Sequence, residues 1–243
     1  METPVYTMEA ALAAESAGVD RIELCADYAE GGTTPSLGML ILLKKYLKIP
    51  VFVMIRPRGG DFLYTEIEHS VMREDIRMMK ENGADGFVFG ILDEQGRVNA
   101  KRCTELVQLA GSLPCTFHRA IDVSRDLLGS MEQIIACGFK RILSSGGKPT
   151  VGQGLDQLLR MQEKAGDRII IMPGGGMAPT LIEEFLEKGN LKEFHASCKM
   201  LRQSHSAFSS GEVSLSASGE LVPHIWTVDA GQILTYKEAL NLV

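Results

Sequence analysis

The stretch Ala17-Gly18-Val19-Asp20-Arg21-Ile22 decides the fold, because the same pattern returns three more times along the chain. The other copies are Asn82-Gly83-Ala84-Asp85-Gly86-Phe87, Cys137-Gly138-Phe139-Lys140-Arg141-Ile142 and Lys188-Gly189-Asn190-Leu191-Lys192-Glu193. In each copy a glycine stands where a helix ends in a left-handed residue, and a short link then leads into a strand. The pattern therefore predicts four junctions at which a helix ends and an even-numbered strand begins.

Outward from these junctions, short β-branched or aromatic runs alternate with segments of helical length, which indicates βα units around a parallel sheet. The predicted strands are residues 4–7, 21–25, 51–56, 86–90, 115–119, 141–145, 168–173 and 193–197. The predicted helices are residues 8–17, 36–47, 65–82, 99–110, 125–137, 155–165, 178–188 and 229–242. Eight such units predict a closed (β/α)8 barrel of the TIM type, formed as a single domain by residues 1–243.

An open doubly wound sheet is the alternative, but no G-x-G-x-x-G turn follows any predicted strand. We therefore expect the barrel, and no nucleotide cofactor. The Ser-rich connection over residues 198–226 is long for a βα loop, so it is predicted to be a lid, an interface segment or a solvent loop. Within it, only Val213-Ser214-Leu215-Ser216 alternates like a short strand.

Composition and charge exclude several classes of protein. There are 25 Lys and Arg residues against 31 Asp and Glu, and the net charge of −6 argues against a nucleic-acid partner. The first 18 residues carry three Glu and no basic residue, unlike a secretory signal, and no uninterrupted apolar stretch reaches the roughly 20 residues of a membrane span. The five cysteines are odd in number and widely spaced, which suits reduced thiols. We expect a cytoplasmic protein with no membrane partner.

Functional residues of such a barrel come from the C-terminal ends of the strands and the loops that follow. The candidate catalytic residues there are Glu23, His118, Asp122 and His195, with Asp122 expected to hold the second ring nitrogen of His118. The candidate substrate-binding residues are Arg56, Arg58, Asp61, Ser145, Gly174, Gly175, Gly176 and Ser197. Arginine forks and glycine amides bind carboxylate or phosphate, so this set predicts a small anionic metabolite and general acid/base chemistry.

Some of these residues have a structural alternative. Arg56, Arg58 and Asp61 equally suit an ion pair that pins the third βα loop, and Arg21 and Arg141 lie at strand starts, where structural charges are expected. Strand alternation directs Glu23, Cys25, His118, Ser145, His195 and Ser197 inward, and Ile22, Leu24, Phe87, Phe89, Phe117 and Phe194 towards the helices. A non-catalytic scaffold would gain nothing from such inward charges.

The cysteines at strand ends suggest a different chemistry. Cys25 and Cys198 are candidate metal ligands, because thiolates with Met or His nearby select Cu(I) over hard ions. A thiol that binds copper needs access, so Cys25 is expected to be partly exposed at the barrel mouth. Cys103, Cys115 and Cys137 are predicted to be small buried hydrophobic residues.

The chain resembles the CutC family, named for copper homeostasis. The resemblance is carried by Asp20-Arg21-Ile22-Glu23-Leu24-Cys25, Glu30-Gly31-Gly32-Thr33-Thr34-Pro35-Ser36, Ile55-Arg56-Pro57-Arg58-Gly59-Gly60-Asp61-Phe62, Thr116-Phe117-His118-Arg119-Ala120, Met172-Pro173-Gly174-Gly175-Gly176 and Glu193-Phe194-His195-Ala196-Ser197. It implies a cytosolic TIM-like barrel, a homodimer or higher homo-oligomer, and Cu(I) handling through cysteine. Carried over by position, it implies Cys25 as a copper thiolate and Glu23, Arg56, Arg58, His118 and His195 as the shared mouth residues. Many family members have a cysteine in the first strand, where this chain has Thr3-Pro4-Val5. The expected partner is thus a copper ion or a small anionic metabolite.

Overall fold

The computed structural model describes residues 1–208, 212–213 and 224–241. In that part of the chain seven strands run parallel and pair in chain order: β1 (Glu2–Val5), β2 (Arg21–Leu24), β3 (Val51–Met54), β4 (Gly86–Phe89), β5 (Cys115–Phe117), β6 (Arg141–Ser144) and β7 (Ile170–Pro173). The helices are α1 (Met8–Ser16), α2 (Leu37–Tyr46), α3 (Glu66–Glu81), α4 (Ala100–Ala110), α5 (Leu127–Ala136), α6 (Leu155–Ala165), α7 (Thr180–Gly189) and α8 (Ala230–Asn241). The predicted alternation and the TIM-like barrel are confirmed.

The eighth position of the ring is filled by the segment around His195, which pairs with both β1 and β7 through single bridges. The prediction of a regular eighth strand over residues 193–197 is therefore wrong. Glu2 N donates to Phe194 O and Ala196 N donates to Glu2 O, so the next bond of the ladder would need an N–H from Pro4. Proline has none, and the pairing stops after one bridge.

The first strand lies two residues earlier than predicted, at Glu2–Val5 instead of residues 4–7. Proline usually stands at the first position of a strand, which is why the sequence favours a start at Pro4. In the structure Pro4 is the third residue of β1 and pairs with Glu23 of β2, and its nitrogen faces the neighbour whose pairing has ended. The shift brings Glu2 into the barrel wall.

Capping residues fix where the helices begin. Side chains of Thr7, Ser36, Thr65, Asn99 and Asp126 accept a hydrogen bond from the first turn of the helix that follows each of them. These bonds satisfy backbone N–H groups that have no partner inside the helix. The helix starts therefore lie within two residues of the predicted ones.

Three of the four repeated glycines end their helices as predicted. Gly18, Gly83 and Gly138 have φ values of 91°, 91° and 92°, the left-handed region that glycine enters without a steric penalty. The fourth copy differs, because Gly189 is the last residue of α7 and Asn190 takes the left-handed position with φ 49°. Asparagine is the other residue that commonly caps a helix in this way.

The predicted outward faces of the strands are confirmed, whereas Ser197, which was predicted to point inward, is exposed. Ile22, Leu24, Phe87, Phe89, Phe117 and Phe194 belong to the large core between sheet and helices. A second, smaller cluster of Cys25, Phe52, Met54 and Val88 fills part of the barrel interior.

After the barrel, an antiparallel hairpin forms from β8 (Lys199–Gln203) and β9 (His224–Val228). The Trp226 ring stacks on Tyr28 with ring centroids 4.1 Å apart, and the Lys199 ammonium lies 5.2 Å from the centroid of the Tyr28 ring. The hairpin is thereby attached to the loop that follows β2. Residues 214–216 of the stretch predicted to alternate like a strand lie outside the described residues. Among the helices that are described, none is long and apolar enough to cross a membrane.

Candidate active site

A cavity of about 130 Å³ opens at the C-terminal end of the barrel strands, and we call it the mouth cavity. It is lined by Pro4, Tyr6, Glu23, Gly31, Met54, Arg56, Phe62, His118, Arg119, Leu143 and His195. Glu23, Arg56, His118 and His195 were all selected from the sequence, and the structure brings the four together. Most of the remaining wall is apolar or aromatic, as in small-molecule sites generally.

Glu2 anchors a chain of charges that runs up the barrel interior. Its carboxylate is fully buried, and one oxygen accepts a hydrogen bond from His195 Nδ1 at 2.8 Å. The other oxygen accepts from Arg21 Nε, while Arg21 Nη2 also donates to Glu193 at 2.8 Å. Burial alone would raise the pKa of Glu2, but the His195 hydrogen bond and the Arg21 charge lower it to about 2. Glu2 is therefore an anion that orients His195.

Arg141 completes this chain at the bottom of the barrel, where its guanidinium donates to Glu193 at 2.6 and 3.0 Å. Arg21 and Arg141 also lie over the Phe52 ring. Both arginines thus make the structural contacts expected from their positions at strand starts.

Glu23 lines the cavity as a buried carboxyl with a raised pKa. Burial raises its pKa to about 7, with the negative charge of Glu2 adding to the shift and His195 opposing it. Its Oε2 accepts a hydrogen bond from the Cys25 thiol at 3.6 Å and lies 4.0 Å from His195 Nε2. Its Oε1 is buried with no hydrogen-bond partner among the described residues. A carboxyl in this state exchanges protons near neutral pH.

Glu2, His195 and Glu23 each offer a ligand atom within 4.8 Å of the others, so a metal ion is one possible use of the three residues. Glu2, however, is already hydrogen-bonded to His195 Nδ1 and paired with Arg21. A cation at Glu2 would compete with both partners. The arrangement suits a carboxylate–imidazole–carboxyl proton relay better than a metal centre, and we call it the Glu2–His195–Glu23 relay.

His118 is present as a neutral ring. Its Nδ1 accepts a hydrogen bond from Ala120 N at 3.3 Å, so the ring hydrogen resides on Nε2. Burial, with the positive charge of Arg56, lowers the pKa of His118 to about 3. Nε2 is buried and has no partner within the described part of the chain. The side chain is thus a hydrogen-bond donor at neutral pH, not a base.

The expected contact between Asp122 and His118 is not formed. Asp122 instead accepts hydrogen bonds from the hydroxyls of Ser144 and Ser145 at 2.6 and 2.9 Å and from Arg119 Nε at 2.8 Å. Arg119 also donates to Ser145 Oγ at 2.8 Å. Asp122 and Ser145 therefore position Arg119 at the rim of the mouth cavity.

Arg56 and Arg58 have different roles. Arg56 donates to the backbone carbonyls of Glu30, Gly32 and Gly60, and so ties the loops after β2 and β3 together. Arg58 pairs with Asp61 at 2.9 Å and Glu68 at 2.5 Å and does not line the mouth cavity. Of the two sequence interpretations, the ion pair that holds the third βα loop in place is the correct one for Arg58 and Asp61.

The glycines after β7 do not line the mouth cavity, and neither does Ser197, the last residue of the predicted eighth strand. Gly174 N donates to Ser144 O within the sheet, and a Cβ on Gly175 would lie 2.8 Å from the Arg119 guanidinium. Ser197 lines a separate small cleft beside Tyr28 and Trp226. Gly175 therefore leaves space for Arg119, and the anion cradle expected from Gly174, Gly175, Gly176 and Ser197 is not assembled around the mouth cavity.

The expected exposure of Cys25 is wrong, because the residue is only 2% exposed. Burial, with the neighbouring Glu23 carboxyl, raises the pKa of its thiol well above the ordinary value. Cys198 is also buried, and burial raises its pKa to about 12. Cys25 contacts Glu23, whereas the neighbours of Cys198 include Thr3 and Tyr236. Two such protonated thiols in separate surroundings do not fit a resident Cu(I)-thiolate site.

Among the polar residues of the mouth cavity and the relay, sequence reasoning missed Glu2, Tyr6 and Arg119. Arg119 carries a usable signal, since it follows His118 directly at the end of a strand. Glu2 was missed because the first strand was placed two residues late. With the strand at Glu2–Val5, alternation would have directed Glu2 inward.

The family of the chain follows from a match over most of its length. The family model described as the CutC family matches residues 1–200. The chain belongs to the CutC family. This CutC-family chain is 45% identical over 218 residues to a human copper homeostasis protein cutC homolog, covering 90% of this chain and 80% of the human protein. It is 38% identical over 241 residues to a CutC family protein of Chromobacterium violaceum, covering 99% and 98% of the two chains.

A solved CutC structure has the same fold. The crystal structure of a copper homeostasis protein CutC from Streptococcus agalactiae matches with a TM-score of 0.75 at 34% sequence identity. The match covers 80% of this chain and 96% of the other. The mouth residues Glu23, Arg56, His118 and His195 all lie in the matched region of the CutC family model.

Proposed function

We propose that this CutC-family chain is an enzyme that acts on a small anionic metabolite by metal-independent general acid/base chemistry in the mouth cavity. The observation that carries the proposal is the Glu2–His195–Glu23 relay, in which Glu23 lines the cavity and its buried Oε1 has no hydrogen-bond partner among the described residues. A buried carboxyl of this kind costs stability and is typical of sites that transfer protons. A structural core would fill the same place with apolar side chains.

The anionic part of the substrate is assigned to Arg119. Both Arg56 and Arg119 line the cavity, but the Nη atoms of Arg56 are engaged by three backbone carbonyls. The Arg119 side chain is 43% exposed at the rim and is held by Asp122 and Ser145. A guanidinium fixed in this way is suited to a carboxylate or phosphate entering from solvent.

Replacing Arg119 with alanine is expected to weaken ligand binding roughly ten- to hundredfold, because a lost hydrogen bond to a charged group is worth about 1.5–3 kcal/mol. Calorimetry with a panel of phosphorylated and carboxylated metabolites measures this effect. Arg97→Ala is the matched control, since Arg97 forms an exposed pair with Asp93 outside the mouth cavity. A panel without any ligand, or equal affinity in Arg119→Ala and wild type, would contradict the proposal.

Cu(I) handling is the second candidate, with copper as cargo. The human relative is named a copper homeostasis protein. A Cβ on Gly32 would lie 3.3 Å from Cys25 Sγ and 3.7 Å from Met54 Cε, so the Cys25 and Met54 side chains approach each other beside Gly32. Thiolate and thioether are the soft donors that Cu(I) prefers. The raised pKa of Cys25 makes this a weak site at neutral pH.

Under reducing conditions we expect wild type to take up Cu(I) weakly and Cys25→Ser to lose that uptake. Titration against a Cu(I) chelator measures both. Cys115→Ser is the control, because Cys115 is equally buried and lies outside both the Cys25 cluster and the mouth cavity. Identical uptake by the three proteins would exclude Cys25 as a ligand.

A cytoplasmic location and a homo-oligomer are part of the proposal. All five cysteines are free, which suits a reducing compartment. Ile67 and Val71 of α3 are exposed apolar residues one helical turn apart, and they are available for contact with a second copy.

A further inference from the structure

Three buried polar atoms in residues that line the mouth cavity have no hydrogen-bond partner among the described residues. They are Glu23 Oε1, Arg56 Nε and His118 Nε2, and each belongs to a side chain at least nine-tenths buried. The other unpartnered buried atoms in the described chain belong to residues that do not line this cavity. Because buried polar groups are nearly always paired, three such atoms around one cavity indicate that a ligand provides their partners.

Two of the three atoms are donors that flank the same ring. The Phe62 ring lies 5.1 Å from Arg56 Cζ and 4.8 Å from the centre of the His118 ring. Arg56 Nε always carries a hydrogen, and His118 Nε2 carries one because Nδ1 accepts from Ala120 N. The ligand atom that these donors require is an acceptor, and a carbonyl oxygen has two lone pairs for them.

The third atom belongs to a proton-transfer group. Glu23 Oε2 is held by the Cys25 thiol, which leaves Oε1 for the ligand. His195 Nε2 lies 4.0 Å from the held oxygen and is backed by the buried Glu2 carboxylate. Glu23 is therefore placed to take a proton from a ligand and to return it.

We infer that the mouth cavity takes a small aldehyde or ketone bearing an anionic group and transfers a proton at the carbon next to its carbonyl. This inference rests on the proposed function and names its substrate class and reaction. Glu23 is the catalytic base, and Arg56 with neutral His118 receives the carbonyl oxygen. Two preorganised donors at an oxygen that gains negative charge stabilise the transition state more than the ground state.

The step is balanced without any further reagent. Glu23 Oε1 takes the proton from the carbon, and the electron pair of the broken C–H bond forms a C=C bond. The carbonyl π pair moves onto the oxygen, which becomes an enolate oxygen hydrogen-bonded to Arg56 Nε and His118 Nε2. Glu23 then returns the proton to the same or a neighbouring carbon, so the result is hydrogen exchange or isomerisation. No oxidation or reduction occurs.

Deuterium exchange tests the inference directly. The full chain is incubated in D₂O with pyruvate or dihydroxyacetone phosphate, and proton NMR follows loss of the hydrogens next to the carbonyl. Glu23→Gln is expected to slow enzyme-dependent exchange at least about a hundredfold, as loss of a general base does. His118→Phe is expected to slow it by a similar factor, because phenylalanine keeps the ring shape and lacks the N–H that donates to the oxyanion. His69→Phe is the control, because His69 is buried on α3 outside the mouth cavity.

The pH profile separates a base from a structural carboxyl. Exchange by wild type should increase as the pH rises through about 7, where Glu23 ionises, and Glu23→Gln should lack this increase. Absence of enzyme-dependent exchange with both carbonyl compounds overturns the inference, as does equal exchange by wild type and Glu23→Gln.

Calorimetry distinguishes that failure from failure of the proposed function. Lactate and glycerol 3-phosphate are the alcohol counterparts of the two probes, and they should bind more weakly than the carbonyl compounds. If the alcohols bind equally well and no exchange occurs, the carbonyl assignment is wrong and the anion site stands. If neither the probes nor the wider panel of anions bind, both proposals fail.

Discussion

Arg21→Ala is expected to lower the free energy of unfolding by about 3–5 kcal/mol, because it leaves the buried Glu2 carboxylate without the arginine that pairs with it. Arg21 is the arginine partner of Glu2, whose side chain is fully buried. The same substitution also removes one of the two arginines bound to Glu193. Urea unfolding at pH 7 measures the loss.

Two further variants make this result specific. Arg97→Ala breaks an exposed ion pair with Asp93, and such pairs contribute at most about 1 kcal/mol. Adding Glu2→Gln to Arg21→Ala removes the unpaired charge and should recover part of the loss. A loss below 1 kcal/mol for Arg21→Ala, or no recovery in the double variant, would show that the buried chain of charges contributes little to stability.

In contrast to Arg21→Ala, Glu23→Gln is expected to stabilise the protein at pH 8, by about 3 kcal/mol. The pKa of Glu23 is raised from 4.5 to about 7 in the folded state. Between these values the folded protein holds a proton that the unfolded chain has lost, so stability falls as the pH rises, by about 1.4 kcal/mol per unit. That contribution is fully present below pH 4.5 and lost above about pH 7. Glu23→Gln has no ionisable carboxyl at this position, so it does not lose stability as the pH rises.

Urea unfolding of wild type and Glu23→Gln at pH 4 and pH 8 tests this sign. The two proteins should be similar at pH 4 and diverge at pH 8. Glu68→Gln is the control of opposite sign, since the hydrogen bond from the Thr65 backbone and the ion pair with Arg58 lower the pKa of Glu68. That variant should be less stable than wild type above pH 4.5. If the difference in unfolding free energy between wild type and Glu23→Gln is the same at pH 4 and pH 8, the raised pKa of Glu23 is contradicted.

A stabilising Glu23→Gln would mean that the chain retains an unfavourable buried carboxyl at its mouth. Proteins keep such groups where function requires them. Together with the loss of exchange expected for the same variant, the result would separate the catalytic use of Glu23 from a role in folding.

The barrel could be predicted from the sequence because its signals are local. The repeated Gly18, Gly83 and Gly138 end helices through their own backbone freedom, and caps such as Thr65 act within one turn. The eighth strand could not be predicted in the same way. Whether residues 193–197 pair regularly depends on the proline that lies opposite them in β1, far away in the sequence.

The candidate site was predicted as a set of residues but not as a mechanism. Glu23, His118 and His195 follow from strand ends and alternation, yet the hydrogen on His118 Nε2 depends on the turn at Ala120. The accessibility of Cys25 depends on the Gly32 loop, which lies so close that a Cβ on Gly32 would be 3.3 Å from the sulfur. Tautomer, charge state and burial are properties of such contacts, and a single sequence does not encode them locally.

The stacking of Trp226 on Tyr28 also makes Trp226 an intrinsic fluorescent probe of the hairpin. The chain has one tryptophan, and it lies on the hairpin and not in the barrel. Intrinsic tryptophan fluorescence therefore reports on a single site, where β9 is attached to the loop after β2. A change in emission marks detachment of the hairpin, whereas circular dichroism follows the helices and strands of the whole chain. The two signals observed side by side distinguish opening at the rim from unfolding of the barrel, without any attached dye.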